Sequence, residues 1–401
     1  MFAPKKKTRN PELRNQRKSF DLLTMAANVS SHYHVDLLVK EKRNLEEYEN
    51  GDRHRQINNV ISSPSSVLPP ENGNGGIGLK LDINGGKGVT SNGGLSVSVP
   101  ATPSLPPVIS GWYADVSSLS PGEARFYEVE KVLFHGKSKY QELLVFQSKK
   151  HGKVAILDGS LQLTERDEFA YQEMLTHLPL CSIPHPKKVL LVGGGDGGIL
   201  REISRHNSVE QIDICEIDEM IIDAYKKFFP DIAVGYKDPR VQVYIDNGIA
   251  FLKKIPEGTY DAIILDAFVE MGKHAVELAD NDVLRSIAKA LRPGGVVAIP
   301  SNNPWSIDSS MEAIILKCQN IFGGSVNYAW TTVPSYNNGT MGFLLCSTKG
   351  PKVDFKNPIN PLNPNHFGVA EGPSKFYNSE IHAAAFCLPS FAKIATGSEV
   401  A

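Results

Sequence analysis

The stretch Val189-Leu190-Leu191-Val192-Gly193-Gly194-Gly195-Asp196-Gly197-Gly198 decides how this chain is read. An apolar run ends in a glycine-packed turn, and a helical stretch follows. Such a turn lets backbone come close to a ligand, and an acid inside it can take a ligand hydroxyl or amine. A second apolar run, Ile212-Asp213-Ile214-Cys215-Glu216-Ile217-Asp218, also ends on acids. The gap of about 20 residues is the one expected when the second strand's carboxylate grips a ribose diol. A glycine turn alone often does no more than close a strand–helix connection. Turn, acid and spacing together point to a nucleoside site.

Working outward, strand–helix alternation continues from Lys187. Strands are predicted over 189–192, 212–216, 241–245, 261–265 and 295–299, with further β runs near 325–332 and 341–347. That pattern predicts an α/β fold with a mostly parallel, doubly wound sheet, in which ligands bind outside the carboxyl ends of the strands. Asp196, Glu216, Asn247 and Asp266 each follow a different strand, so one pocket is expected to gather them. Upstream, the runs 128–134, 141–146 and 153–157 are short and β-rich, which predicts a small antiparallel sheet followed by a helix over 168–180. The chain then divides into a low-complexity extension (1–108), a β domain (109–175) and a Rossmann-like domain (176–395).

Composition narrows the classes. Forty-two Lys and Arg against 44 Asp and Glu give a net charge of -2, so no bulk attraction to nucleic acid is expected. The five cysteines are widely spaced and form no CxxC pair, which argues against a zinc site and for reduced, buried thiols. No apolar run reaches the roughly 20 residues a membrane span needs. Residues 1–108 carry a basic start, Lys5-Lys6-Lys7, and then Asn/Gly/Ser/Pro-rich sequence. The start lacks the hydrophobic core of a secretory signal. The rest is too poor in apolar residues to offset its ordering entropy and is expected to be mostly disordered. A cytoplasmic protein is expected, with the nucleus as the alternative that the lysines suggest. The scattered histidines, His177 and His185 among them, are expected to serve surface or capping roles.

Longer motifs carry a resemblance. Leu163-Thr164-Glu165-Arg166-Asp167-Glu168-Phe169-Ala170-Tyr171-Gln172-Glu173-Met174, the glycine turn, Cys215-Glu216-Ile217-Asp218, Leu291-Arg292-Pro293-Gly294-Gly295 and the tail from Lys375-Phe376-Tyr377-Asn378-Ser379 to Phe391 are similar to the spermidine and spermine synthase family, plant members above all. The likeness covers roughly residues 111 to 394. It implies a methyltransferase-like Rossmann domain with a small N-terminal antiparallel β domain, and a dimeric assembly with itself or a related synthase. It also implies transfer of an aminopropyl group from decarboxylated S-adenosylmethionine, as co-substrate, to a diamine or polyamine, with no metal and no redox cofactor. On the donor side, the resemblance assigns Gln141 and Glu216 to the nucleoside, Asp196 to the aminopropyl ammonium, Tyr171 and Gln172 to the donor–acceptor junction, and Asn247 to adenine. It assigns Asp266 to activation of the amine, and Trp112 and Tyr336 to the acceptor.

The acceptor side departs from the family pattern. Where the family has Asp-Ser-Ser-Asp-Pro, this chain has Asp266-Ala267-Phe268-Val269-Glu270, so the second acid is Val269 and Glu270 is the substitute candidate. Pro300 and Asn302 stand where plant members have Gln and Glu. Asn247 replaces an aspartate, with Asp246 one place earlier as an alternative. Three readings follow: an aminopropyltransferase of ordinary or altered acceptor range, a divergent amine-modifying enzyme on the same scaffold, and a non-catalytic partner of an active synthase.

Overall fold

The computed structural model describes residues 109–116, 123–266, 280–306 and 310–397. The disorder expected for 1–108 and the acceptor candidate Glu270 lie outside the described residues. The chain enters through a hairpin, β1 (Trp112–Asp115) with β2 (Arg125–Glu128). A four-stranded antiparallel sheet follows in sequence order: β3 (Lys131–Lys137), β4 (Glu142–Ser148), β5 (Gly152–Leu157) and β6 (Ser160–Thr164). The run expected as one strand over 128–134 is broken between β2 and β3. There Val129 N–H donates to Gly111 O and Glu130 N–H to Gln147 O, so the chain changes partners mid-run.

Helix α1 (Glu168–Leu180) leads into the large sheet. Its strands are β7 (Lys188–Gly193), β8 (Gln211–Glu216), β9 (Val241–Ile245), β10 (Tyr260–Asp266), β11 (Leu291–Ser301), β12 (Gly323–Thr332) and β13 (Thr340–Thr348). Across the sheet the order is β12-β13-β11-β10-β7-β8-β9. The five strands from β11 to β9 run parallel; β13 runs antiparallel to β11, and β12 in turn antiparallel to β13. The connecting helices are α2 (Gly198–Ile203), α3 (Glu219–Phe228), α4 (Gly248–Lys254), α5 (Asn281–Ala290) and α6 (Ser310–Phe322). The tail adds α7 (Ser379–Ala384) and α8 (Ser390–Ala395).

Side-chain alternation explains why the central strands read as unbroken apolar runs. Val189 and Leu191 of β7 pack with Ala262 and Ile264 of β10 beneath α1, whereas Leu190, Val192, Ile263 and Leu265 enter the core on the opposite face. A parallel strand covered on both faces has no polar side to show. The same period of two divides β4. Leu143 and Val145 pack against Ile221, Ala224, Tyr225 and Phe229 at α3, and Phe146 faces the β1–β2 hairpin side with Tyr127. The small sheet is thereby fixed on the large domain. Helix α1 belongs to the large core through Tyr171, Met174, Leu175 and Leu178.

From β7 the chain proceeds outward to β8 and β9, then returns to place β10 on the other side of β7. The strand order reverses there, and that switch point opens a crevice at the carboxyl ends. Of the five cysteines, Cys181, Cys215, Cys318 and Cys346 are buried as expected, but Cys387 is exposed, and all five are free.

Candidate active site

Asp266 is the last residue of β10 and pairs in register with Gly193, the first glycine of the turn after β7. Gly193 has φ +81, and a Cβ there would lie 2.5 Å from the carbonyl oxygen of Asp266. Glycine is thus needed for two strand ends to meet, which brings Asp196 and Asp266 into one crevice. Tyr171, on α1, donates its hydroxyl to Asp266 Oδ1 at 2.5 Å. Gln172, the next residue, donates Nε2–H to Asp196 Oδ2 at 3.1 Å. Asp196 Oδ1 accepts from Gly198 N–H at 2.6 Å.

The electrostatics follow from burial. Desolvation above all, with Asp196 and Glu216 adding repulsion, pushes Asp266 up to about 7, against the Tyr171 hydrogen bond. Burial also raises Asp196, with the hydrogen bonds from Gly198 and Gln172 opposing. Both carboxylates are buried and the charge on Asp196 acts on Asp266, so protonation of one is felt by the other. Gln172 Oε1 is buried with no hydrogen-bond partner among the described residues. A buried acceptor without a partner, on a side chain that meets Asp196, suits an ammonium donor.

Glu216 ends β8 and is buried; its Oε1 accepts from Asp218 N–H at 2.9 Å. A Cβ on Gly195 would come 3.1 Å from Glu216 Oε2, so the glycine turn lies directly against this carboxylate. Gln141 reaches the same corner from the small domain, donating Nε2–H to Asp218 Oδ2 at 3.2 Å. Asp218 has no role in the sequence reading. It ties Gln141 and Ser138 to the start of α3, where its Oδ1 accepts from Met220 N–H. Tyr236 was also missed. Its hydroxyl donates to Gly195 O at 2.9 Å and holds the turn from the outer side. The signal for both was weak, because an N-cap aspartate and a loop tyrosine are ordinary features of such a connection.

Tyr336, which the resemblance assigns to the acceptor, packs beside Tyr171. Its ring centroid is 5.6 Å from that of Tyr171, and its hydroxyl donates to Gln162 O at 2.9 Å. Asp167 fixes the preceding residue, accepting from Ser335 N–H and Oγ–H. Trp112 is different. It lies on β1, 42% exposed, and its side chain makes no hydrogen bond or ring contact with the Asp266 cluster among the described residues.

Asn247 sits at the end of β9 as expected, but its Oδ1 caps α4, accepting from Ala250 N–H at 3.0 Å. That oxygen keeps a second lone pair, and the amide N–H groups are also left for a base. Asp246, the alternative one place earlier, pairs its carboxylate with Lys254 at 3.2 Å on the exposed side. Asn247→Asp would keep the cap with one oxygen and return a second acceptor to the base. The donor KM is expected to fall roughly three- to tenfold, a hydrogen bond's worth, with kcat unchanged, as initial rates across donor concentration would measure. His177, expected at the surface, is fully buried among charged groups because it faces α2 rather than solvent. Among the described residues, no group of three or more His, Cys, Asp or Glu side chains is placed to hold a metal ion.

A methyltransferase-like sheet with acids at adjacent strand ends around its switch point defines a nucleoside-site transferase fold. The comparisons narrow it. Residues 168–357 match the family model of the spermine/spermidine synthase domain, and 111–165 match the spermidine synthase tetramerisation domain. The chain is 61% identical to spermidine synthase 2 of Datura stramonium over 73% of this chain and 92% of that protein. It is 61% identical to spermidine synthase of Solanum lycopersicum over 73% of this chain and 85% of that one. Among solved structures, a spermidine synthase in complex with the transition-state analogue AdoDATO superposes with TM-score 0.65 at 30% identity, covering 73% of this chain and 97% of that chain. The enzyme from Thermotoga maritima gives 0.62 at 30% identity, over 71% and 94%. This chain belongs to the spermidine synthase family.

Proposed function

We propose that the protein moves the aminopropyl group of decarboxylated S-adenosylmethionine to an amine acceptor. The observation that carries this reading is the joining of Tyr171–Asp266 and Gln172–Asp196 at two neighbouring strand ends, with Glu216 beside them. Relatives at about 60% identity are spermidine synthases, and one solved relative holds an analogue of this transition state.

The geometry sets the chemistry. Glu216 takes the ribose diol, and Asp196 with Gln172 Oε1 takes the ammonium of the transferred arm. Alkylamines titrate near lysine, so the acceptor arrives protonated at neutral pH. Asp266 accepts one proton from the attacking nitrogen. That nitrogen's lone pair then forms the new N–C bond as the C–S bond breaks. Its electrons stay on sulfur, and methylthioadenosine leaves as a neutral thioether. Aligning nitrogen, carbon and sulfur is a positioning problem, which two adjacent residues of one rigid helix are suited to solve. Incubation with the donor and a panel of amines, followed by mass analysis, is expected to yield methylthioadenosine and an aminopropylated product. Its absence with every amine would reject the reading.

A base must be ionised to work. With Asp266 held at about 7, kcat/KM is expected to fall as pH drops through 7, and to level off above it. The sign for stability is opposite. A carboxyl raised from 3.8 in the unfolded chain contributes stability that is complete below about 4 and lost as pH rises through about 7. Melting points of the ligand-free protein are expected to fall across that window, and a cationic donor is expected to lessen the fall.

A narrower acceptor range rests on β11. Its end reads Pro300-Ser301-Asn302-Asn303, with no carboxylate to meet a distal ammonium. This favours acceptors with a less charged far end, which the same amine panel would rank. The tetramerisation-domain match supports assembly through residues 111–165, to be checked by light scattering. The cytoplasm is our reading of compartment, supported by five free cysteines and tested with a fluorescent fusion.

A further inference from the structure

Behind the site lies a chain of buried charges that the reaction does not itself use. Glu168 and Gln172 are four apart on α1 and so share a face. Gln172 meets Asp196. Glu168 meets Arg201 of α2 in a two-pronged pair, NH1 to Oε1 at 3.0 Å and NH2 to Oε2 at 2.9 Å. The two contacts form parallel rungs between α1 and the glycine turn with its helix. Between them a Cβ on Gly198 would be 2.6 Å from Gln172 Cδ, so the rungs are closely packed. Arg201 Nε also donates to Glu202 Oε1 at 2.6 Å, and Glu202 Oε2 accepts from Arg205 Nε at 2.5 Å and meets His177 Nε2 at 3.3 Å. Two carboxylates and two guanidiniums balance, all buried.

We propose that the Glu168–Arg201 pair is a positioning element of the donor site, holding Gln172 against Asp196 and setting a cation behind that carboxylate. It rests on the aminopropyl-transfer reading and deepens it. Asp266, Tyr171, Tyr225, Tyr236, Tyr336 and Glu168 all lie within electrostatic reach of Asp196, and every one is acidic or neutral. Arg201 is the cation that favours its ionised form. Burial opposes the charge on Arg201, yet Glu168 and Glu202 hold it protonated. A carboxylate that must bind an ammonium in a dry site with other acids needs such a counter-charge where the substrate cannot displace it.

The test uses the full chain. Glu168→Gln/Arg201→Gln removes both charges together and leaves no buried ion unpaired. Its donor KM is expected to rise about tenfold, with the acceptor KM within about twofold, and the acid limb of donor affinity, which Asp196 sets, is expected to move up by at least about half a pH unit. Arg201→Lys keeps the charge and loses the fork, so donor KM rises while the limb stays. Arg205→Gln, in the same network but away from Asp196, lowers the melting point without moving the limb. A double variant with the wild-type limb and donor KM would overturn the proposal. So would a limb that moves as far in Arg205→Gln, or one that moves in Arg201→Lys. Calorimetric titration with the donor nucleoside alone reads the same comparison without turnover. A wild-type protein that binds donor but transfers nothing would therefore sink the reaction and not this pair.

Discussion

Asp266→Asn is expected to lower kcat by roughly 10²–10⁴-fold, the range of a positioned general base, while leaving the donor KM within a few-fold. Asparagine keeps the shape and can still accept from Tyr171, so the strand ends stay together. What goes is the only feature that lets residue 266 take a proton near neutral pH: a carboxyl held at about 7 by burial and by neighbouring acids. The loss is therefore expected in the chemical step and to be independent of pH, since the limb near 7 disappears with the group that makes it. Rapid-quench measurement of one turnover separates this from product release. A variant that keeps wild-type kcat would place the base elsewhere and remove Asp266 from the mechanism.

Asp196→Asn is expected to act on the donor instead. Its two oxygens are held by Gly198 N–H and Gln172 Nε2–H, which orient the carboxylate toward the crevice. Removing its charge costs the ammonium one charged hydrogen bond, about 1.5–3 kcal/mol, or roughly ten- to hundredfold in kcat/KM for the donor. The neutral thioether product has no aminopropyl ammonium, so methylthioadenosine should bind nearly as well as before. Calorimetry with both compounds checks that split. Equal weakening of the two would show that residue 196 holds the nucleoside and not the arm. The same substitution takes a negative charge from beside Asp266. The acid limb near 7 is then expected to move to lower pH.

The two results together divide the site by residue, and they show which parts of it could be read from the chain alone. The strand ends were legible. A buried parallel strand must be apolar on both faces and must end where its glycine turn begins, so Asp196, Glu216 and Asp266 announce themselves by position. The helix over 168–180 was legible as well, because its motif is long. Asn247 follows β9 as the strand pattern predicts, but nothing in Asp246-Asn247-Gly248 says that its side chain turns back to cap α4. His177 was read as a surface residue because burial among Glu202 and His206 depends on α2 lying across α1.

The class of fold and the acids at the strand ends follow from local pattern: alternation, glycine and spacing. The family follows from the likeness of the longer motifs. What those acids touch is settled only by packing. Which of Asp196 and Asp266 receives Tyr171 and which receives Gln172, how Gln141 meets Asp218, and how Arg201 pairs with Glu168 are facts about chain segments far apart in sequence. Their physical reason is common. A carboxylate's proton affinity is set by the burial, hydrogen bonds and charges around it, and those surroundings exist only once β7, β10 and the first long helix have packed together.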